Sequence, residues 1–252
     1  MTSCHRWVIK ELTAAVSFGR KTLFRLYHQF FARRIESFDP LCLERAMIPK
    51  ELDDIKTYLV SNNVKLSKQF QDGRINASIN EDEVIKAISG KFPIELPPHR
   101  HWYDFAIKKG SEKIPVNIKI TSTSTADNVQ CKLGMYYALT GLWPNFANET
   151  PWGEYFSMLE RGLSTKTDKD YYFLVLSKKD PLDVFCTSLK QIKTLVANGN
   201  NLPFQCNWGN NHELHTRTHN AAIKFLLGKF YESIKLRANI LNEFEEHLGS
   251  VV

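Results

Sequence analysis

Nowhere in the 252 residues is there an apolar run long enough to cross a bilayer, which argues against a membrane protein. Cysteine is scattered and without pattern: Cys4, Cys42, Cys131, Cys186 and Cys206 are odd in number and none stands at CxxC spacing. That argues against a disulfide framework and a cysteine-based zinc site, and for a reducing, cytoplasmic setting. Histidines recur at His212-x-x-His215-x-x-x-His219, but the HExxH order and its glutamate are missing, so a zinc protease is not indicated. Acids are scarce over residues 1–36, where Trp7, Val8, Leu12, Val16, Leu23, Leu26, Tyr27, Phe30 and Phe31 interleave with basic residues. This segment reads as helical, in one of three roles: a packed or DNA-flanking helix pair, a transit peptide, or sequence upstream of a later start at Met47.

The chain is long enough to bury a full core. Its net charge of +6 and pI near 9.0 lean towards a polyanionic partner. The organising stretch runs from Tyr103 to Thr121 and predicts two strands joined by the polar turn Lys108-Lys109-Gly110-Ser111-Glu112-Lys113. Side chains alternate across a strand, so Val116, Ile118 and Ile120 point one way while Asn117 and Lys119 share the other face. The turn folds the first strand back and brings Asp104 to that pair. A carboxylate, an amide oxygen and an ammonium would then converge, a set able to hold Mg²⁺ and engage a phosphate. Residues in this order also occur on ordinary solvated strand faces, and the elements around them separate the two readings.

Those elements run in a definite order. A helix is expected over residues 79–90, with Asn80 as its cap and Gly90 as its stop, followed by a short strand at Phe92–Leu96, the Asp104 strand and the Asn117 strand. A helix through Leu133 and Tyr137 to Gly141 comes next, and Tyr171–Leu176 is a buried strand. A short helix around Tyr155–Leu159 lies in the intervening loop. Further on, a strand at Asp183–Cys186 and a short helix at Leu189–Val196 are expected.

With the acid, the amide and the lysine placed so, residues 80–180 resemble the PD-(D/E)xK nucleases, particularly type II restriction endonucleases. Asp104 matches the first acid of the motif and Lys119 its lysine; Tyr103 replaces the proline and Asn117 replaces the second acid. The resemblance implies an α/β (α+β) restriction-endonuclease-like core, a central mixed β-sheet flanked by helices, with extra helices at both ends. It implies Mg²⁺ held by Asp104, the Asn117 amide oxygen and the Ile118 carbonyl, with Lys119 acting on the attacking water. It also implies a glutamate from the preceding helix, Glu83 or Glu81, supplying the charge that Asn117 lacks; Glu95 is a further stand-in carboxylate. The products would carry a 5′-phosphate and a 3′-hydroxyl. Double-stranded DNA, a second copy forming a homodimer, a cognate methyltransferase and a bacterial cytoplasm complete what the resemblance implies.

Two stretches suit nucleic acid directly. Thr121, Ser122, Thr123, Ser124 and Asn128 form a run of hydroxyls and an amide ahead of an expected helix N-terminus, fit for phosphate. Residues 202–220 crowd together Gln205, Asn207, Asn210, Asn211, His215, Arg217 and His219, whose side chains suit base edges. An ordinary polar loop has the same composition. The tail from Ala221 to Leu248 repeats apolar residues at helical spacing and predicts a packed or dimer-forming helix. The expected organisation is thus an N-terminal segment over residues 1–46 and one nuclease domain over 47–252, with recognition and helical parts beyond 181. Two alternatives remain open at this point: a repair or structure-specific nuclease of the same fold, and a catalytically silent DNA-binding protein.

Overall fold

The computed structural model describes residues 48–62, 64, 73–98, 101–122, 125–163 and 167–248. The N-terminal segment 1–46, together with Cys4, Cys42, Thr123 and Ser124, lies outside them. The described part is an α+β structure with a mixed central sheet flanked by helices.

Helix α1 (Lys50–Ser61) is followed by α2 (Gly73–Ile88), then strands β1 (Ile94–Glu95), β2 (Phe105–Lys109) and β3 (Glu112–Thr121). The β2–β3 hairpin closes at the pair Lys109 and Glu112, leaving Gly110-Ser111 as its loop. Gly110 adopts a φ of 62°, which a residue with a Cβ accepts only with strain. After β3 come β4 (Ala126–Val129), α3 (Lys132–Thr140), α4 (Trp152–Gly162), β5 (Tyr172–Ser177) and β6 (Val184–Ser188). The central sheet has the order β1-β2-β3-β5-β6, and β3 and β5 pair in parallel while the other neighbours are antiparallel. Parallel pairing requires a crossover, which α3 and α4 supply. Because both faces of β5 are covered, all its residues are buried, and the sequence reads as an unbroken apolar run.

One face of the sheet packs Val116, Ile118, Ile120, Leu174 and Leu176 against Leu52, Ile55 and Leu59 of α1 and Val84 and Ile88 of α2. The other packs Ala106, Phe173 and Val175 against α3, α4 and the long helix α5 (His219–Leu248). A second, three-stranded antiparallel sheet of order β4-β8-β7 joins β4 to β8 (Phe204–Asn207) and β7 (Val196–Ala197). Val129, Phe204 and Cys206 turn one face of it into that second core.

Several expectations are corrected here. The helix before the strands begins at Gly73, so Asn80 is a buried interior residue and not a cap. Residues 126–129 form a strand, since they find a partner in β8, and the helix after them starts only at Lys132. No helix forms at Leu189–Val196: the carbonyls of Lys190 and Ile192 accept hydrogen bonds from the Arg217 guanidinium, and the Thr194 N–H donates to Asn211 Oδ1. Residues 204–211 hold a strand and a 3-10 turn around the buried Trp208 rather than an open polar loop. No helix of the described residues is long and apolar enough to cross a membrane.

Helix α3 is the most completely buried helix, and Gly134 lets it approach β5: a Cβ there would fall 2.6 Å from the Tyr171 ring. That ring is fixed, because the Tyr171 hydroxyl donates to the Trp102 carbonyl at 2.6 Å. Gly134→Ala gains about 1 kcal/mol of helix propensity but overpacks an immobile ring, typically at a loss of about 1–3 kcal/mol. The overpacking wins, and the variant should melt a few degrees below wild type in thermal denaturation.

Candidate active site

The site forms where β2 ends before β3 does. The last β2–β3 rung pairs Phe105 with Val116, so from Asn117 onward β3 has no strand on that side. Asp104, one residue before β2, fills the gap. Its own N–H donates to the Val116 carbonyl at 3.0 Å, and its Oδ2 accepts from the Ile118 backbone N–H at 2.5 Å and from Asn117 Nδ2 at 2.8 Å. A carboxylate thereby takes the place of a strand carbonyl.

The expected alternation holds across β3. Ile118 turns its side chain into the core with Val116 and Ile120, while Asn117 and Lys119 lie half-buried on the opposite face, beside Phe173 and Val175 of β5. Asp104 and Lys119 therefore sit on one side of the sheet, close enough that the ammonium draws the Asp104 pKa down. Burial outweighs both that attraction and the Ile118 hydrogen bond, and the Asp104 pKa ends above the usual carboxylate range.

Helix α2 brings a second carboxylate. Glu81, Val84 and Ile88 stand at i, i+3 and i+7, one face of the helix, and the last two anchor that face in the core. One turn earlier, Glu81 lies near enough to Asp104 and Lys119 to feel both charges. Its pKa is pushed up to about 7, by burial first, then by repulsion from Asp104, against the pull of Lys119. Glu83 stands about 200° further round the helix by its periodicity, and Glu81 is the acid that feels both Asp104 and Lys119. The sequence carried a signal for this, since Glu81 occupies a position in the apolar stripe of α2. Glu95 is engaged elsewhere, by Lys113 of β3 and Lys108 of β2.

The donor set suits a hard divalent cation. Burial raises the proton affinity of both carboxylates and Asp104 raises that of Glu81 further, so a cation beside them would relieve the cost of burying their charge. Glu81 and Asp104 would hold it, with the Ile118 carbonyl as a neutral donor. Asn117 is oriented differently from the expectation: its Nδ2 donates to Asp104, so its oxygen faces away from that carboxylate. Among the described residues no group of three or more His, Cys, Asp or Glu side chains is poised for a metal. The Cys131 thiol also lies within the field of Lys119, but burial pushes its pKa to about 12, which leaves it protonated and a poor nucleophile.

The residues expected to contact DNA divide sharply. Thr121 is buried at the C-terminal end of β3, next to Ser177 of β5, and its carbonyl accepts from the Lys178 N–H at 2.8 Å. Ser122 and Thr125 share a hydroxyl contact of 3.1 Å. Asn128, Gln205 and Asn207 lie on the second sheet, Asn210 in the 3-10 turn after it, and His215 is exposed. Three others serve the fold. Asn211 is 0 % exposed, with Oδ1 accepting from the Thr194 N–H and Nδ2 donating to the Asn207 carbonyl at 2.8 Å. Arg217 spends its guanidinium on backbone carbonyls and stacks 3.8 Å over the Phe225 ring. His219 is half-buried with its pKa pushed down to about 4, by burial and by the charge of Lys190, and is neutral at physiological pH. His212 of the histidine series pairs with Asp183 at 2.8 Å.

Comparison with family models, with curated proteins and with solved structures returns no match for the chain.

A group whose folded pKa lies above its ordinary value contributes stability at low pH and loses it as pH rises through the folded value. Glu81 should therefore make the cation-free protein less stable as pH rises from about 4.5 through about 7. Glu81→Gln is expected to melt a few degrees higher than wild type at pH 8, with the gap closing by pH 5; a variant that melts lower at pH 8 would contradict the crowded-carboxylate account. Adding Mg²⁺ at pH 8 should raise the melting temperature of wild type and leave that of the Glu81→Gln, Asp104→Asn double variant unmoved.

Proposed function

We propose that this chain is a Mg²⁺-dependent DNA endonuclease of the type II restriction class, built on a PD-(D/E)xK-like core. The observation that carries the reading is the convergence of Glu81, Asp104, Asn117 and Lys119 at the unpaired edge of β3. The chain order of helix, three strands, crossover helices and parallel strand supports it further. Asp104 and Glu81 hold the cation and are themselves held, Asp104 by the Ile118 amide and Glu81 by the anchored face of α2. Mg²⁺ bound there supplies Lewis-acid stabilisation of charge on the phosphate and the leaving oxygen. Lys119 orients the scissile phosphate and the attacking water and assists removal of the water's proton. Hydrolysis leaves a 5′-phosphate and a 3′-hydroxyl.

The flanks of the site suit a nucleic-acid backbone. Ser122 and Lys178, both partly exposed, follow the C-terminal ends of the parallel strands β3 and β5, the end of such sheets at which ligands usually bind. The net charge of +6 favours a polyanion. A palindromic duplex target calls for a homodimer with one site per strand, and a cell that carries such an enzyme needs a methyltransferase to protect its own DNA.

One observation favours the silent DNA-binding reading: Asn117 brings no charge where the resembling family has an acid, and it donates to Asp104. Glu81 restores the second carboxylate, so the enzymatic reading is preferred. Incubation of phage DNA with the protein and Mg²⁺ tests the choice, with discrete fragments expected. Intact DNA that still shifts in a gel would leave the silent reading, and fragments without fixed ends would leave a structure-specific or repair nuclease. Lys119→Ala should lower cleavage by about 10²–10³-fold, the usual effect of removing one transition-state donor, while duplex affinity changes little. Asn117→Asp should keep or raise the Mg²⁺-dependent rate, and complete loss would show that the amide's donation to Asp104 is itself required.

A further inference from the structure

The second sheet has a face that the core does not use. Antiparallel residues directly opposite one another share a face, so Val129 and Phe204, with Cys206, point inward. The intervening rung is Asn128–Gln205–Val196, one residue from each of the three strands, and it points outward. Strands stand about 4.8 Å apart, so the three side chains span roughly 10 Å, narrower than the roughly 12 Å major groove.

The three members of the row are presented in different ways. Val196 is 50 % exposed, an apolar side chain set beside two amides. The Gln205 side chain makes no hydrogen bond among the described residues. Asn128 is exposed yet held, for its Oδ1 accepts from Asn198 Nδ2 at 2.9 Å. Asn198 is itself 4 % exposed and locked: its Oδ1 accepts from the N–H groups of Asn200 and Asn201, and its own N–H donates to Ser233 Oγ. A buried amide spent on orienting an exposed one is the arrangement expected of a preorganised contact. Asn207 differs, because its Oδ1 accepts from Gly209 and stabilises the 3-10 turn.

We propose that the Asn128–Gln205–Val196 row reads A·T base pairs in the major groove of the duplex cut at the neighbouring site, an inference that rests on the DNA reading above. The major-groove edge of an A·T pair offers adenine N6 and N7 to one amide in a bidentate pair, and a thymine methyl to an apolar side chain. Gln205 beside Val196 matches that pair, and Asn128 addresses an adenine one step along. The chain from Lys119 to Asn128 is nine residues, at most about 30 Å, which keeps the row within roughly one duplex turn of the scissile phosphate.

The test uses the full-length protein without divalent cation and a pool of duplexes with a randomised centre, the bound fraction being sequenced. Adenine should be enriched at fixed positions. Gln205→Ala should weaken binding to the enriched duplex by about 5–100-fold, the discrimination of one bidentate pair, with binding to a scrambled duplex unchanged. Gln205→Glu, folded like wild type by thermal melting, should move the preference at one position from adenine to cytosine, whose N4 amine suits a carboxylate. An enriched motif without adenine, no enrichment, or Gln205 variants that bind like wild type would overturn the inference. Cleavage of the same duplexes with Mg²⁺, scored in parallel, separates the two readings. Cleavage without a Gln205-dependent preference overturns only the base-reading row, and a Gln205-dependent preference without cleavage overturns only the nuclease.

Discussion

The premature end of β2 is the constraint on which the rest of the structure depends. A strand edge inside a sheet leaves backbone donors that must be satisfied, and an orphaned buried N–H costs about 1–3 kcal/mol. Here the donor is the Ile118 N–H and the acceptor is the Asp104 carboxylate. The solution fixes the charge of Asp104 beside the polar face of β3, where Asn117 and Lys119 already lie by strand alternation. It also leaves an edge that no strand covers, and Glu81 of α2 lies near enough to feel the charges of Asp104 and Lys119. Two hydrogen bonds and a lysine do not offset the burial of Asp104, whose proton affinity remains raised. The site is therefore held in an unsatisfied electrostatic state by the packing around it, an arrangement typical of sites that bind or transform something.

Charge counting gives that state a direction. Glu81 and Asp104 together outweigh Lys119, so without a cation the proposed site would repel a phosphodiester despite the basic chain around it. A divalent ion reverses the balance. Under the proposed function, cation and DNA would thus bind cooperatively at the site, while contacts further away, at Lys178 and on the second sheet, need no cation. Binding without cutting and binding that leads to cutting then use different parts of the surface.

How much of this was legible in the sequence follows from how local each feature is. The hairpin, the two faces of β3 and the buried β5 rest on alternation, a glycine turn and an apolar run, all within a few residues of chain, and each reads directly. The order of elements followed from them. What did not read is what long-range pairing decides. Ala126–Val129 contains Asp127 and Asn128, poor strand formers, and becomes a strand only because β8 pairs with it from far along the chain. Glu81 and Glu83 are equivalent in composition; the apolar stripe of α2 points to Glu81, but its nearness to Asp104 comes from how α2 packs on the sheet. Residues 189–196 have helical spacing, yet Arg217 and Asn211 take the backbone groups a helix would need.

The stretch from Gln205 to His219 carries the sharper lesson, because one composition serves two ends. Amides, imidazoles and a guanidinium suit base edges, but they suit equally well the backbone carbonyls and N–H groups of a chain that turns without regular structure. Asn211 and Arg217 are consumed in that second way, and His219 is neutralised by burial. Once those are removed, the polar side chains of the second sheet are no longer a diffuse surface. They reduce to one outward rung, with Asn128 oriented by a buried neighbour and the Gln205 side chain uncommitted, joined through Asn128 to β3 by the few residues between Thr121 and Ala126. Under the proposed function, the short chain from Lys119 to Asn128, together with the strand pairing that sets Gln205 and Val196 beside Asn128, is what would tie the position of a cut to the position of the bases read.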